Sequence, residues 1–354
     1  MRSRALADAV RAGATFAGTV VGAGFASGQE IVQYFASFGQ AGLAGLAVAT
    51  VLFCWLGGRL LEVGYRLRAT AYHQAIYHVC GRRAALAIDW LTAGFLFVML
   101  AVMVAGMATV GRDSFGLPFP VGLAAAGTVV ALTVLTGVRG VAAVNMVVTP
   151  LLVACIAAVS LYSLFFHAAE LAPLTAPPAP ASQPAPHWLL AALLYVSYNL
   201  MLGATVLVPL GATVPHFAGR AGGGVLGGLI LGGLATFLTL VVMLHFPHSL
   251  SQEVPILEVA SGQHPLASAV YAALLLTAMF TTALASLYGC AGKMTAATGF
   301  HPAVAVPVVA AAAMVCGQFG FAKLIKLLYP VFGYATVWFT VRLAWLSFRD
   351  SRWR

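Results

Sequence analysis

A run of glycine and polar residues interrupts the first long apolar segment of this 354-residue chain. The segment extends from about Asp8 to Phe38 and is long enough to cross a bilayer. Its middle, GTVVGAGFASGQE at 18–30, contains several glycines and ends in Gln29 and Glu30. Irregular backbone is tolerated at membrane depth only where it is buried in protein or lines a cavity. The run therefore predicts a discontinuous transmembrane helix whose unpaired main-chain groups hold a solute or an ion.

Composition predicts a polytopic membrane protein without a soluble domain. The chain is 61% hydrophobic and only 8% charged, whereas soluble domains carry about 25% charged residues. The five cysteines lack ligand-like spacing, and no nucleotide-binding, hydrolase or metalloprotease motif is present, so we predict neither an enzyme, a transition-metal site nor a cofactor. Hydropathy predicts ten spans, at 8–36, 41–66, 84–111, 118–138, 141–167, 188–214, 222–247, 265–292, 302–318 and 321–348.

The distribution of positive charge predicts an orientation for these spans. If the amino terminus lies inside, 15 of the 18 Lys and Arg residues fall on the inner side, and only Arg112, Lys323 and Lys326 fall on the outer side. This asymmetry follows the positive-inside rule, so both termini are predicted to be cytoplasmic. The net charge of +9 is then explained by topology and does not indicate nucleic-acid binding. We expect a multi-pass protein of a bacterial cytoplasmic (inner) membrane, whose partners are the lipid bilayer, a small-molecule solute and a coupling ion.

An internal repeat divides the chain into two sets of five spans. The Pro/Ala-rich segment 168–187 is predicted to be an extracytoplasmic loop between a first repeat, 1–167, and a second repeat, 188–354, within one transport domain. A shift of about 180 residues superimposes the glycine-rich run on Asn199–Gly211, which we predict to be a second broken span. It also superimposes the polar connection Arg68–Arg83 on His248–His264. Because five is odd, the second set is inverted, an arrangement typical of transporters with a site at the membrane midplane.

The sequence GTVVGAGFASGQEIVQYF resembles the first span of the YkvI-like family of bacterial membrane proteins, and the similarity extends through YVSYNLMLG and TTALASLYG. That family in turn resembles the amino acid–polyamine–organocation superfamily. The resemblance implies a LeuT-like fold: an all-α 5+5 inverted repeat of ten transmembrane helices in which helices 1 and 6 are broken. It also implies that spans 1, 2, 6 and 7 rock against a scaffold of spans 3, 4, 8 and 9.

The same resemblance implies a sodium site between the first and eighth spans. Carbonyls of Gly18 and Val21 would bind the ion from one side, and Ala278, Thr281 and Thr282 from the other. The alternative is that the threonine hydroxyls bond to carbonyls one turn earlier, as is common in membrane helices. Phe25 stands where amino acid symporters of this fold often have an asparagine that serves a second sodium, so a two-sodium mechanism is not predicted.

The solute site is predicted to lie between the two breaks. Amides at the start of a half-helix would face an anionic group, and a Tyr and Asn cluster would line the opposite side. Met103 could supply an apolar wall, with ordinary helix packing as the alternative. The predicted solute-binding residues are Gly22, Ala23, Gly24, Phe25, Tyr195, Tyr198, Asn199, Gly203 and Met103.

Glu30 is a carboxylate inside a spanning segment and is therefore a functional hypothesis by default. With Gln29 beside it, it could couple transport to protons or contact a cationic part of the solute; alternatively, it braces the break by accepting bonds from freed amides. Glu62 and Asp89 are expected to form surface ion pairs.

The sequence thus predicts an ion-coupled symporter of a small amino-acid-like organic solute that works by alternating access, with sodium favoured over protons as the coupling ion. The alternative is a solute sensor that keeps the same fold without transporting. The solute and the oligomeric state are left open.

Overall fold

A computed structural model describes residues 2–137, 141–166 and 182–349. In these ranges the chain is helical with short connections, and a single turn of 3₁₀ helix lies at Ala36–Phe38. The helices in chain order are α1 (Arg2–Val20), α2 (Ala23–Ser27), α3 (Gln29–Tyr34), α4 (Gln40–Leu67), α5 (Tyr72–Cys80), α6 (Arg82–Phe115), α7 (Phe119–Thr136), α8 (Val141–Phe166), α9 (Trp188–Ala212), α10 (Phe217–Leu244), α11 (His248–Ser251), α12 (Pro255–Gln263), α13 (Pro265–Thr298), α14 (Pro302–Gly317) and α15 (Phe321–Arg349).

Helices occupy all ten predicted spans. Eight helices, α4, α6–α10, α13 and α15, contain stretches long and apolar enough to cross a membrane by length and composition. α14 is apolar but has only 16 residues, and the first span is divided among α1, α2 and α3. Most of the predicted proline-rich loop at 168–187 lies outside the described residues; at its end, the Gln183 amide donates to the carbonyl of Ser37 at 3.0 Å. Both predicted polar connections contain short helices, α5 in one and α11–α12 in the other.

Histidine side chains begin three of the spanning helices. The Nδ1 atoms of His187, His264 and His301 each accept a hydrogen bond from the main-chain amide two residues later. Such caps satisfy amides that have no partner within the helix. In α13 and α14 the capping histidine is followed by a proline at the first helical position, where a missing N–H costs nothing. These three histidines therefore have a structural role.

The predicted break at Asn199–Gly211 is wrong, because α9 runs without interruption from Trp188 to Ala212. The polar side chains are satisfied within the helix: the Asn199 amide donates to the carbonyl of Tyr195 at 2.9 Å and the Thr205 hydroxyl to that of Leu202 at 2.6 Å. Pro209 cannot donate to the carbonyl of Thr205, yet α9 continues past it to Ala212. Of the two spans that the sequence predicts to be broken, the first is interrupted and the sixth is continuous.

Four helices, α1, α4, α9 and α10, pack closely on one another and form what we call the bundle. A second group, α6, α7, α13 and α14, packs mainly within itself and forms the scaffold. α15 contacts α9 of the bundle and α6 of the scaffold, and α8 contacts α10 and α13. The grouping matches the two sets of spans that the family resemblance implies.

Glycines of α10 bring the bundle helices into backbone contact. A Cβ atom at Gly224 would collide with the backbone of Gly58 in α4, and one at Gly228 would collide with that of Cys54. Other α10 glycines face α1, where Gly227 lies against the ring of Phe16. Small residues at membrane helix interfaces allow such close approach. The contacts hold α1, α4 and α10 close together.

A buried ion pair joins α4 to α10. Arg220 donates to Glu62 at 2.7 Å and to the carbonyl of Val214 at 2.7 Å, and its guanidinium lies 3.8 Å from the centre of the Tyr65 ring. Glu62 also accepts from Arg66 at 2.7 Å. The expectation of a surface ion pair at Glu62 is therefore wrong: the carboxylate is buried between two helices and compensated by two guanidinium groups. The Asp89 side chain lies outside the described part of the structure.

Candidate functional site

The first span is interrupted immediately after α1. The amide of Gly22 donates to the carbonyl of Val20 at 2.7 Å, whereas a continuous helix would direct it to Gly18. Among the described residues, no main-chain hydrogen bond around the break ends on the carbonyls of Gly18, Thr19 or Val21. The break therefore leaves main-chain oxygens free at the point where the sequence predicts two of them to bind an ion.

A second interruption follows five residues later. Gly28 separates α2 from α3 and has a φ of 84°, a left-handed conformation that favours glycine. Ser27 braces this turn, because its hydroxyl donates to the carbonyl of Gly24 at 2.7 Å and accepts from the amide of Gln29. Gln29 in turn donates to the carbonyl of Gln252 at 2.9 Å.

The connection between α10 and α13 covers the second interruption. A Cβ atom at Gly28 would lie 2.7 Å from Ile256 of α12, so this helix packs directly on the turn. The hydroxyl of Tyr271 in α13 donates to the carbonyl of Ala26 at 2.5 Å. α2 and α3 are thereby fixed to the scaffold at one end while α1 belongs to the bundle.

Glu30 faces α9, and no hydrogen bond from a freed amide reaches its side chain within the described part of the chain. Its Oε2 atom accepts a hydrogen bond from the hydroxyl of Tyr198 at 2.6 Å, and its Oε1 atom lies against the Cα atom of Gly24. The carboxylate is buried, and none of the ion pairs among the described residues includes it. Arg112, which the sequence places on the outer side, pairs with Asp113 at 2.9 Å.

Four buried tyrosines surround this carboxylate; we call them the tyrosine cluster. Tyr34 lies in α3, Tyr195 and Tyr198 in α9, and Tyr329 in α15. The rings of Tyr34, Tyr195 and Tyr198 form a triangle with centroid distances of 5.4, 5.7 and 5.6 Å. Tyr329 lies 5.4 Å from Tyr198 and donates to the sulfur of Met99.

Several buried polar atoms in the tyrosine cluster and in α3 have no hydrogen-bond partner among the described residues. They are the hydroxyls of Tyr34 and Tyr195 and the Oε1 atom of Gln33. Buried polar groups are nearly always bonded, so each such atom requires an explanation. The tyrosine cluster therefore has hydrogen-bonding capacity that the described residues leave unused.

A small cavity of about 60 Å³ adjoins Tyr198 on the side facing α6 and α15. Its wall is mostly apolar, with three threonines interspersed. The residues that line it are Leu91, Thr92, Phe95, Leu96, Tyr198, Met201, Leu202, Thr205, Phe332 and Thr336. It thus extends from the tyrosine cluster between the bundle and the scaffold.

The structure separates the predicted solute residues into three groups. Tyr195 and Tyr198 lie at the tyrosine cluster, and Gly24 contacts Glu30. Asn199 is engaged within α9, and Gly203 packs on the ring of Phe16. The remaining residues, Gly22, Ala23, Phe25 and Met103, have no polar side chain, and the last three are buried in the core.

The predicted sodium ligands on α13 already have local partners. The hydroxyls of Thr281 and Thr282 both donate to the carbonyl of Ala278, at 3.1 and 2.8 Å. A hydroxyl that donates one hydrogen bond retains lone pairs for a cation. The side chain of Thr149 in α8 also approaches the break, since a Cβ atom at Gly18 would lie 3.3 Å from it.

Sequence reasoning missed Tyr34, Tyr329, Phe95 and Phe332. Tyr34 lies four residues after Glu30, a spacing that puts both on one helix face, and this signal was available. Tyr329 lies in the last span, and no local pattern relates it to the first.

His245 and His248 line a separate cavity of about 350 Å³. No group of three or more metal-ligating side chains occurs in the described ranges.

Comparison with solved structures identifies the class of protein. The chain resembles MhsT in its complex with L-phenylalanine, with a TM-score of 0.60 and 16% identity over 97% of this chain and 89% of MhsT. It also resembles the inward-facing conformation of Mhp1, with a TM-score of 0.55 and 16% identity over 94% of this chain and 75% of Mhp1. The chain is therefore a multi-pass membrane protein with the LeuT-like fold.

Sequence relatives agree with the resemblance found in the first span. The chain is 28% identical over 329 residues to the uncharacterized membrane protein YkvI of Bacillus subtilis (strain 168), and the match covers 92% of each chain. It is 27% identical to YyaD of the same organism over 92% of this chain and 93% of that protein. No family profile matches the chain.

Proposed function

We propose that this protein is a secondary transporter that moves a small amino-acid-like solute by alternating access, with sodium as the coupling ion. The observation that carries the proposal is the break after Val20, which frees main-chain carbonyls inside a LeuT-like fold. Discontinuous spans of this kind form the solute and ion sites of many transporters.

Sodium would bind where these carbonyls face α13. The hydroxyl of Tyr271 in α13 donates to the carbonyl of Ala26 in the first span. These two residues therefore lie at the same depth and serve as a common reference point. At 1.5 Å per residue, Thr281 lies about 15 Å further along α13. Gly18 lies back along the first span from Ala26, on the other side of the break. Spans one and eight cross in opposite directions, so both displacements lead toward the same end of the molecule. This register supports a site formed by Gly18, Val21, Ala278, Thr281 and Thr282.

The solute would bind between the bundle and the scaffold, beside the tyrosine cluster. Tyr198 and the adjacent cavity connect Glu30 with α6 of the scaffold and with α15. A solute in this position would contact elements of both groups, as alternating access requires. The glycine contacts of α10 support rocking of the bundle as one body.

The orientation follows from charge. Both termini would lie in the cytoplasm of a bacterium, with the basic loops on the inner side of the cytoplasmic membrane. The connection formed by α11 and α12 would then cover the break from outside.

A two-stage experiment tests the proposal. Thermal unfolding of the purified protein is first measured with L-amino acids, primary amines and betaine, in sodium chloride and in choline chloride. A compound that stabilises the protein is then used in counterflow with proteoliposomes. Sodium-stimulated exchange of the labelled compound supports transport. Binding without exchange identifies a sensor, and flux without exchange stimulation identifies a channel; either result contradicts the proposal.

A further inference from the structure

We propose that a groove between α6, α14 and α15 binds an anionic phospholipid of the surrounding membrane, with its headgroup on Lys323 and Lys326. None of the residues that line this groove belongs to the proposed solute or sodium site or to the cavity beside Tyr198. The lipid site therefore stands or falls independently of the proposed function.

The shape of the groove suits a hydrocarbon chain. Both α14 and α15 pack on α6, and the groove between them has a volume of about 570 Å³. One water needs roughly 10–15 Å³ by this measure, so a small anion would leave most of the space empty. Its wall is mostly apolar and includes Phe97, Val98, Cys316, Phe319, Leu324 and Leu327.

The groove extends from the end of a helix toward the middle of the bilayer. Its α15 wall reaches from Lys323, in the first turn of that helix, to Pro330. At 1.5 Å per residue this wall is about 10 Å long. One leaflet of a bilayer contributes about 15 Å of hydrocarbon. The upper part of an acyl chain therefore fits along the wall, with the lysines at the level of the headgroup.

Two ammonium groups lie at the end of the groove. Lys323 and Lys326 are one helical turn apart and exposed, and none of the ion pairs in the described part of the chain includes either of them. Glu253 approaches Gly320 nearby, but its carboxylate accepts a hydrogen bond from Thr109 at 2.9 Å. No carboxylate is among the described residues that line the groove. Lysines at a membrane surface extend toward the headgroups and attract anionic lipids.

The rim of the groove distinguishes a lipid from a soluble ligand. Phe319 and Leu327 line the groove and are 69% and 68% exposed. Large exposed apolar side chains mark a surface that contacts a partner or a membrane. In a chain that spans the bilayer these side chains face lipid, so the groove opens sideways to the membrane. A phospholipid supplies both the apolar chain and the negative charge that this surface lacks.

Native mass spectrometry of the purified full-length protein tests the inference. Phosphatidylglycerol and phosphatidylcholine with identical acyl chains are titrated separately, so that the two lipids differ in headgroup charge alone. Phosphatidylglycerol is expected to bind about tenfold more tightly, because each lysine near an anionic headgroup contributes attraction. Equal affinities would contradict the inference. Displacement of the lipid by inorganic phosphate would show that the lysines hold a free anion and would also contradict it.

Lysine variants locate the headgroup. Combined replacement of Lys323→Ala and Lys326→Ala should weaken phosphatidylglycerol binding about tenfold, whereas the corresponding double replacement by arginine should retain it. Because both side chains are exposed, these variants should fold normally. Arg112→Gln is the control, since that cation pairs with Asp113 and does not line the groove. Unchanged binding in the double alanine variant, or an equal loss in Arg112→Gln, would overturn the inference.

A groove-filling variant locates the acyl chain. Cys316→Phe puts a ring into the groove and leaves both lysines in place, so it should weaken phosphatidylglycerol binding several-fold. Val315→Phe is the matched control, because Val315 is exposed on the same helix and does not line the groove. If Cys316→Phe fails to fold, Val98→Phe on α6 fills the same groove. Wild-type affinity in a folded groove-filling variant would contradict a lipid chain at this position, as would an equal loss in Val315→Phe.

Discussion

The sequence predicts equivalent positions for the first span and α9 in two repeats, and both spans place glycines and polar residues at mid-span, yet α9 is continuous and the first span is broken. In α9 the glycines are packing residues: Gly203 faces Phe16, and a Cβ atom at Gly211 would collide with the carbonyl of Leu61. In the first span Gly28 has a positive φ, and Gly24 makes room for a carboxylate. Glycine content alone therefore does not predict a break. The backbone conformation of each glycine and the group that packs against it determine whether the helix is interrupted.

The polar residues differ in the same way. Asn199 and Thr205 bond to carbonyls of their own helix, which leaves the α9 ladder intact. Glu30 and Gln29 instead bond to other elements, Glu30 to Tyr198 and Gln29 to the carbonyl of Gln252. In the broken span the polar side chains bond to residues of other elements, whereas in the continuous span they bond to carbonyls of their own helix.

The largest effect is expected from valine at the second interruption. Gly28→Val forces a left-handed conformation on a branched residue and brings it against Ile256, which together should cost about 3 kcal/mol of unfolding free energy. Thermal unfolding of the purified protein measures the loss. Gly262→Val is the control, because a Cβ atom there meets open space. Equal stability of the two variants would show that Gly28 is not a strained turn.

A smaller effect is expected at Gly24. A Cβ atom there would collide with Glu30 and displace the carboxylate from Tyr198, so Gly24→Ala should cost about 2 kcal/mol, the value of a hydrogen bond to a charged group. Tyr198→Phe removes the same bond. In a double-mutant cycle based on unfolding free energies, the double variant should therefore cost less than the sum of the single ones. Additive losses would mean that Gly24 does not position Glu30.

Removal of the proposed sodium ligands on α13 should lower the apparent affinity for sodium by about one order of magnitude. Thr281→Ala combined with Thr282→Ala should weaken sodium-dependent stabilisation about tenfold, or about 1.4 kcal/mol. Thr277→Ala is the matched control, because that hydroxyl bonds to Ala273 on an exposed part of the same helix. Sodium titrations monitored by thermal unfolding give the comparison. An unchanged response in the double variant would remove α13 from the ion site.

The smallest effect is expected in α9. A Cβ atom at Gly203 would meet Phe16 at an ordinary contact distance of 3.4 Å, and alanine has a higher helix propensity than glycine. Gly203→Ala should therefore change the unfolding free energy by less than about 0.5 kcal/mol, as measured by thermal unfolding. A large loss would indicate that α9 must open at this residue, and would weaken the contrast with the first span.

The sequence predicted the spans and the break after the first helix because both are local properties. Apolar length predicts a span, and closely spaced glycines with a carboxylate at membrane depth predict an interruption. The second break was predicted by analogy between the halves, and it failed because the packing of Gly203 and Gly211 against α1 and α4 is a tertiary property. The tyrosine cluster was only half predicted for the same reason: Tyr329 reaches the site from α15, more than a hundred residues from α9.

The buried ion pair gives a similar lesson. Glu62 and Arg66 are neighbours on one helix face, which indicated a surface pair, but Arg220 approaches from α10 and buries the carboxylate. Local charge patterns identify a possible pair and leave its burial undetermined.

An experimental structure in nanodiscs, determined by cryo-electron microscopy with sodium present, tests the central claim most directly. The account predicts that the helix ends near Val20, with ion density between the carbonyls of Gly18 and Val21 and the hydroxyls of α13. An uninterrupted helix through residues 18–30, with no density beside these oxygens, would contradict it.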